Sequence, residues 1–591
     1  MTQGEGSASP QKNNLWALFS TGNGSAIFQR GIWSLKSQSS TKRSKKMFVP
    51  DVTAIGDRLW LSALVAALPI VVFFLLVGAF RMRSHLSGLI ALATGLIVAI
   101  AGFKLPVTMA ISASLLGALK GLIPIIVIVI AAVWLHRLMQ ATGRETDLRK
   151  VFSAVGNGDL RIQTMLIALC FGGLLEGLSG FGVPVAIVTA LLMGLGFKPL
   201  EAAVIALVAN TSPVAYAAFG VPITTAAALM SGHHINENSA DIAKYVSLTE
   251  PAVALAIPLV LILLIDRKNF RQLFPLALVM GLIEGIGQFL TLRFVSFELG
   301  GVLPPIVTFL VVWLMVLIYR PPIPEEFVTE KPTDLRIGRV AMAVLPYSLV
   351  IAVLSLGRMV PLFAKTLSAT DLQVSWPALA GKVASADNPQ VASHIGTVII
   401  PILSQPGILI AASAIITGIV FTVVNEKGQY PLGAKRIVKE LGSAIFSMRF
   451  SAATILEVMA LAYLMNISGM VLTIGTLLAS TGTFFLVLSP LIGYLGTAIS
   501  GSSTSANALF ASLQETTALQ IGLPGAFAVA VNTAGGVIGK LIAPQSLAIA
   551  AASMGAPEKE IELLREVIRW SLGLLLFVVI ICFAGGMLLL H

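Results

Sequence analysis

Stretches almost free of charge recur along this chain, and they leave few folds open to it. Leu59–Phe80, Leu86–Phe103, Ile257–Ile265 and Gly573–Leu590 are long or nearly uninterrupted apolar runs. A helix needs about 20 residues to cross roughly 30 Å of hydrocarbon. Many such segments in one chain imply an all-α polytopic membrane protein. Composition agrees: 56% of the 591 residues are hydrophobic and 11% charged, with a mean hydropathy of +0.90. A soluble protein carries roughly 25% charged residues.

Twelve crossings are predicted, at 59–80, 86–103, 107–139, 200–231, 248–265, 272–292, 302–318, 341–360, 395–424, 446–480, 525–555 and 568–590. Two further apolar pieces, 162–197 and 483–520, fit poorly as single spans, because each has a polar, glycine-rich break near its middle. The net charge of +11 does not suggest nucleic acid. Most basic residues lie in short loops between apolar segments, where they set orientation. With Arg81–His85 cytoplasmic, the basic loops Arg137–Arg161, Asp266–Arg271, Arg320–Arg339 and Lys427–Arg449 fall on the same side. The loop His233–Asp241, without Lys or Arg, then falls outside. The scheme requires 162–197 to enter and leave on the cytoplasmic side as a re-entrant hairpin, and 483–520 to do the same from outside.

Residues 1–58 form a Ser-rich, basic tail with Lys42-Arg43-Ser44-Lys45-Lys46 near its end, and no apolar run there is long enough for a secretory signal. The orientation puts this tail outside. It reads as a tolerated, non-dominant charge cluster in a plasma-membrane protein, or alternatively as a targeting leader for an organelle envelope. Cys170 and Cys582 both sit in apolar segments, so neither a disulfide framework nor a Cys-rich metal site is available. His233-His234 reads as a solvated loop pair. No metal or cofactor is expected.

Set side by side, the two odd regions match. The first reads LEGLSGFGVPVAIVTALL and continues to VANTSPVAYAAFGVPITTAAALMSG; the second reads GTAISGSSTSANALFASL and continues to AVNTAGGVIGKLIAPQSLAIAAASMG. Ser179-Gly180 aligns with Ser500-Gly501, and Asn210-Thr211 with Asn532-Thr533. The step from Ser to Asn is 31 residues in one copy and 32 in the other, and from Asn to Pro222 or Pro544 it is 12 in both. Because the hairpins enter from opposite sides, the copies read as an inverted repeat, 59–265 and 341–591, joined by linking helices over 266–340. Inverted repeats with discontinuous helices put a transporter's substrate site near the midplane. Lipid cannot satisfy unpaired backbone N–H and C=O groups, so irregular backbone at depth is buried or lines a watery cavity. Ser-Gly-Phe-Gly182 and Ser-Gly-Ser-Ser503 read as breakers at hairpin tips, and Asn-Thr-Ser-Pro213 and Asn-Thr-Ala-Gly-Gly536 as breakers inside spans. Each break exposes helix N-terminal N–H groups, which attract anions. Close helix packing by small residues is the alternative origin of such motifs.

With these motifs in hand, the chain resembles the L-lactate permease family, the lactate/glycolate:proton symporters. The likeness is carried by Leu175-Glu-Gly-Leu-Ser-Gly-Phe-Gly-Val-Pro-Val-Ala-Ile187, Gly194-Leu-Gly-Phe-Lys-Pro199, Asn210-Thr-Ser-Pro213, Gly501-Ser-Ser-Thr-Ser-Ala-Asn-Ala-Leu-Phe510, Asn532-Thr-Ala-Gly-Gly536 and Gly539-Lys-Leu-Ile-Ala-Pro-Gln-Ser546. It implies an elevator-type carrier, by analogy a homodimer, that moves short 2-hydroxy monocarboxylates (L-lactate, D-lactate, glycolate) on the proton gradient. The family's second tip commonly carries an acid where this chain has Ser503. That departure, with the hydroxyl-rich tips, motivates a sodium-coupled carrier of a related anion as the alternative.

The expected substrate contacts are Ser179, Gly180, Asn210 and Thr211 in the first copy. In the second they are Ser502, Ser503, Thr504, Ser505, Asn507, Asn532, Thr533, Lys540, Gln545 and Ser546. A carboxylate at mid-membrane costs roughly 2.5–3.5 kcal/mol, which makes Glu176 a functional candidate. Protonated, it crosses cheaply; ionised, it repels a carboxylate substrate. Those are the properties of a proton-coupling residue, with Glu457 the runner-up. Lys540 reads as a partner for the substrate carboxylate, or for Glu176 in the empty state. Lys435–Arg449 reads as a basic amphipathic stretch on the membrane surface. An enzyme is disfavoured, since no Ser–His, Asp–Asp or His-Glu-x-x-His arrangement falls at depth.

Overall fold

Among the described residues of the computed structural model, twelve helices are long and apolar enough to cross a membrane, or thirteen if one bent pair is a single span. The structure describes residues 47–590 apart from 157, 181, 232–234, 330–336, 385–396 and 426–427. Most of the basic tail and the pair His233-His234 lie outside the described residues. The chain is an all-α integral membrane protein, and its only sheet among the described residues pairs Leu372–Ser375 with Thr397–Ile400.

The number of spans agrees with the sequence, but their assignment shifts. Leu160–Leu178 and Gly482–Ser500, the leading arms of the two odd regions, each reach 19 residues and qualify as spans. Leu303–Ile318 has 16 residues and falls short. The predicted span 200–231 is the bent pair, Pro199–Ala209 and Ser212–Ala227, at 49°. Residues 446–480 belong to two helices, Ala434–Ser468 and Met470–Ala479, parted by left-handed Gly469. Lys435–Arg449 is therefore not a separate surface element. It opens the 35-residue helix, and its carbonyl at Ile437 accepts from Trp134 Nε1 at 3.1 Å while Glu440 pairs with Arg137 at 3.5 Å.

Glycine and proline chemistry sets the two hairpins. In the first, Gly180 and Gly182 take φ of +58° and +82°, a region that costs other residues about 1–2 kcal/mol. Pro184 then lies in the first turn of the returning arm, Val183–Gly194. In the second, Gly501 at φ +74° ends Phe485–Ser500, and Ser502 caps Ser503–Gln520 by accepting from Ser505 N at 3.2 Å.

Each hairpin is followed by a discontinuous helix, but the two breaks differ. The first passes through a 3-10 turn over Ser212–Tyr216 and then three left-handed residues, Ala218, Phe219 and Gly220. The second lies later than expected. Asn532-Thr-Ala-Gly-Gly536 is helical, inside Gly525–Gly539, and the break comes at Lys540–Ile542 with extended Ala543 before Pro544. The glycines there serve contact rather than rupture. A Cβ on Gly535 would strike the Pro490 carbonyl, and one on Gly539 the Tyr494 carbonyl, so these two helices meet backbone to backbone.

A buried cation anchors the foot of the first hairpin. Arg161 pairs with Asp159 at 2.7 Å and Asp266 at 3.0 Å, and it also donates to the Pro322 carbonyl at 2.9 Å. Burial alone would raise the Asp266 carboxyl, but hydrogen bonds from Asn269 and Arg161 outweigh it and hold the group below its ordinary range.

Candidate functional site

Glu176 lies one turn before the first tip and is fully buried. Its Oε1 accepts from Lys540 Nζ at 2.5 Å and its Oε2 from Asn210 Nδ2 at 3.1 Å. The acid comes from the first hairpin, the amide from the first discontinuous helix and the base from the break of the second. A buried ion pair persists only where geometry and further hydrogen bonds offset desolvation, and removing one partner leaves an uncompensated charge. Both carboxylate oxygens are partnered here, and the backbone next to the acid is tightly packed as well. Gly177 beside Glu176 rests on the Gly301 carbonyl, where no side chain fits.

Lys540 also faces a cavity of about 330 Å³ at the meeting of both tips and both breaks. From the first copy come Gly180, Gly182, Val214, Ala217, Ala218, Val221 and Pro222; from the second come Ser500–Ser505, Lys540, Gln545, Ser546 and Ile549. A further wall is supplied by Phe73, Arg83–His85 and, on the helix Ala434–Ser468, Phe450, Ser451, Thr454 and Ile455. Among the described residues no Asp or Glu lines the cavity, whereas Lys540 and Arg83 do. Ser503–Gln520 and Pro544–Ser553 both begin at this wall. The first N–H groups of a helix have no carbonyl within it to bond, and they add partial positive charge. The surroundings suit an anion.

Of the expected substrate contacts, Gly180, Ser502, Ser503, Thr504, Ser505, Lys540, Gln545 and Ser546 line the cavity. Ser503 Oγ is buried without a hydrogen-bond partner among the described residues. The remaining six are engaged elsewhere. Ser179 and Thr211 donate to the carbonyls of Leu175 and Leu207 four residues back, and Asn210 holds Glu176. Asn507, Asn532 and Thr533 form a network of their own. Asn507 Nδ2 donates to the Pro222 carbonyl at 3.0 Å and to Thr533 Oγ1 at 3.0 Å, while Asn532 Nδ2 donates to Asn507 Oδ1 at 2.9 Å and Gln514 Nε2 to Asn532 Oδ1 at 3.0 Å. This network ties the second hairpin to both discontinuous helices. Glu457 lies outside the lining and packs against Gly88.

Sequence reasoning missed the wall. Arg81–His85 was legible only as an orienting loop, yet Arg83 and His85 face the cavity, with His85 stacked on Phe450 at 4.8 Å. It also passed over Glu250, which is fully buried with neither carboxylate oxygen hydrogen-bonded among the described residues.

A family model described as L-lactate permease matches residues 62–589, nearly the whole membrane portion. The chain belongs to the L-lactate permease family. It is 35% identical over 543 residues to the glycolate permease GlcA of Escherichia coli K12, covering 87% of this chain and 94% of that protein. It is 34% identical over 563 residues to the L-lactate permease of Bacillus subtilis 168, covering 90% and 97%. Among solved structures it is similar to Neisseria gonorrhoeae MtrF, with a TM-score of 0.41 and 12% identity over 89% of this chain and 95% of that one. As a member of a permease family, the chain is a membrane transporter.

Proposed function

We propose that this permease carries a short 2-hydroxy monocarboxylate, L-lactate, D-lactate or glycolate, together with a proton across the plasma membrane. The single observation that carries the proposal is the Glu176–Lys540 pair behind a cavity whose described lining holds no acid. In the empty carrier the pair is internally neutral. An arriving carboxylate competes with Glu176 for the Lys540 ammonium. If Glu176 stayed ionised, two anions would share one cation, and the site would hold a net negative charge away from bulk water. A proton on Glu176 removes that excess, leaving an ammonium, a substrate carboxylate and a neutral acid.

Empty and fully loaded carriers are thus both neutral at the site. The two half-loaded carriers are charged, and crossing low-dielectric surroundings with an uncompensated charge costs several kcal/mol. Coupling follows from that difference, with no separate gate required. The hairpins and discontinuous helices, tied by the Asn507 network, form the natural moving unit, and the helix Ala434–Ser468 with the Arg83 loop forms the wall it moves against.

Proteoliposomes given an inward proton gradient test the reading with labelled L-lactate and glycolate. Uptake is expected to follow the gradient and to be indifferent to replacing Na⁺ by choline. Glu176→Gln is expected to abolish gradient-driven uptake while keeping exchange, because its Lys540 is always open to substrate but its empty form is charged. Full gradient-driven uptake by Glu176→Gln would overturn the mechanism. No uptake of either acid by the wild type would overturn the substrate assignment.

A further inference from the structure

The cavity holds two cations, and only one of them is spoken for. Lys540 is paired with Glu176 at 2.5 Å, but the guanidinium of Arg83, at the start of the helix Ser84–Ile97, makes no hydrogen bond or ion pair among the described residues; only its backbone carbonyl is engaged, by Leu86 and Ser87. At about 330 Å³ the space has the volume of roughly ten waters, several times what a six-heavy-atom monocarboxylate fills. An anion inside it therefore has two places to go.

We propose that Arg83 is a second carboxylate site, a way station through which the substrate passes between Lys540 and the membrane face that carries the basic loops. The inference rests on the functional reading above and adds the path. When Glu176 and Lys540 close on each other, the substrate carboxylate loses its cation, and the nearest unpaired positive charge lining the same space is Arg83. A guanidinium offers paired N–H groups in the plane of a carboxylate, so it holds the anion by geometry as well as charge. The surroundings favour this use. His85 stacks on Phe450, both of which line the cavity with Arg83, and Arg449 lies over the same Phe450 ring at 4.4 Å, so a basic and aromatic cluster adjoins Arg83. Arg83 is exposed, so the hold is weak enough to release and is screened by salt.

The test is the KM for L-lactate measured separately from each face in sidedness-controlled proteoliposomes, for the wild type, Arg83→Gln and Arg83→Lys. Charge removal at a rim acts mainly on capture and its salt dependence. Arg83→Gln is expected to raise KM about three- to tenfold from the basic-loop face alone and to flatten its rise with ionic strength. Arg83→Lys is expected to recover part of the loss, and the ratio of protons to lactate carried is expected to stay as in the wild type. An unchanged KM, or an equal change from both faces, overturns the way station while leaving the transport reading intact. A wild type that takes up neither lactate nor glycolate overturns both.

Discussion

The two hairpins turn at the same residues, Ser179-Gly180 and Ser500-Gly501, yet what surrounds the turns is chemically unlike. In the register of the shared motifs, the position of Glu176 is occupied in the second copy by Thr497, and that of Lys540 in the first copy by Ala218. Each half contributes one charge and leaves its counterpart neutral. A symmetric assignment would put two acids or two bases at the centre, with like charges in conflict. The asymmetric one puts a single neutral pair across the junction, at 2.5 Å. A common backbone plan supplies the cavity; the departure from it supplies the chemistry.

The largest effect is expected at the base. Lys540→Gln removes the cation paired with Glu176 and leaves a buried carboxylate uncompensated. Losing one partner of a buried charge pair costs about 2–5 kcal/mol or more, which corresponds to at least about thirtyfold in uptake at subsaturating L-lactate. Thr497→Val, at the neutral counterpart of Glu176, is expected to stay within about threefold of the wild type, because Thr497 Oγ1 makes no hydrogen bond to lose. Equal losses in the two variants would end the argument from asymmetry.

A smaller and sharper contrast lies in the paired asparagines. Asn210 spends its amide on Glu176, whereas Asn532 spends its own on Asn507 and Gln514. Asn210→Ala is expected to lower proton-driven uptake about tenfold, the scale of a lost hydrogen bond to a charged group. Asn532→Ala strands two buried amide partners. It should cost about 1–3 kcal/mol of stability, read as a lower midpoint of thermal unfolding in detergent, with lactate KM within about twofold. The reverse pattern would mean that the substrate contacts sit in the Asn532 network instead.

These contrasts also show what sequence could supply. The turns were legible because glycine takes the left-handed backbone at Gly180 and Gly501 without the cost a side chain adds, and the ion pair because lone charges in apolar runs are rare and costly. The second break was misplaced because Ala-Gly-Gly536 reads alike whether glycine ruptures a helix or lets a neighbour touch its backbone. The amides of Asn507, Asn532 and Thr533 looked available to substrate because their sequence says nothing about mutual satisfaction. The wall was illegible for a different reason. Arg83 and Phe450 stand 367 residues apart in the chain, and neither carries a local pattern that points to the other.

The smallest effect isolates one backbone difference between the two breaks. Ala218 in the first break is held at φ +47°, whereas Ala543 in the second is extended at φ −64°. Both methyl groups are buried, so changing either residue to glycine forfeits about 0.8 kcal/mol of burial and adds about 0.5–1 kcal/mol of unfolded-state entropy. At Ala543 nothing offsets those costs. At Ala218 the left-handed penalty of about 1–2 kcal/mol is relieved at the same time. Ala218→Gly is therefore expected near neutral in thermal unfolding, and Ala543→Gly destabilising by about 1.5 kcal/mol. The gap between the two variants measures the strain. A gap of zero would mean that the left-handed run at 218–220 is relaxed in the membrane, and that the first break stores nothing that the second lacks.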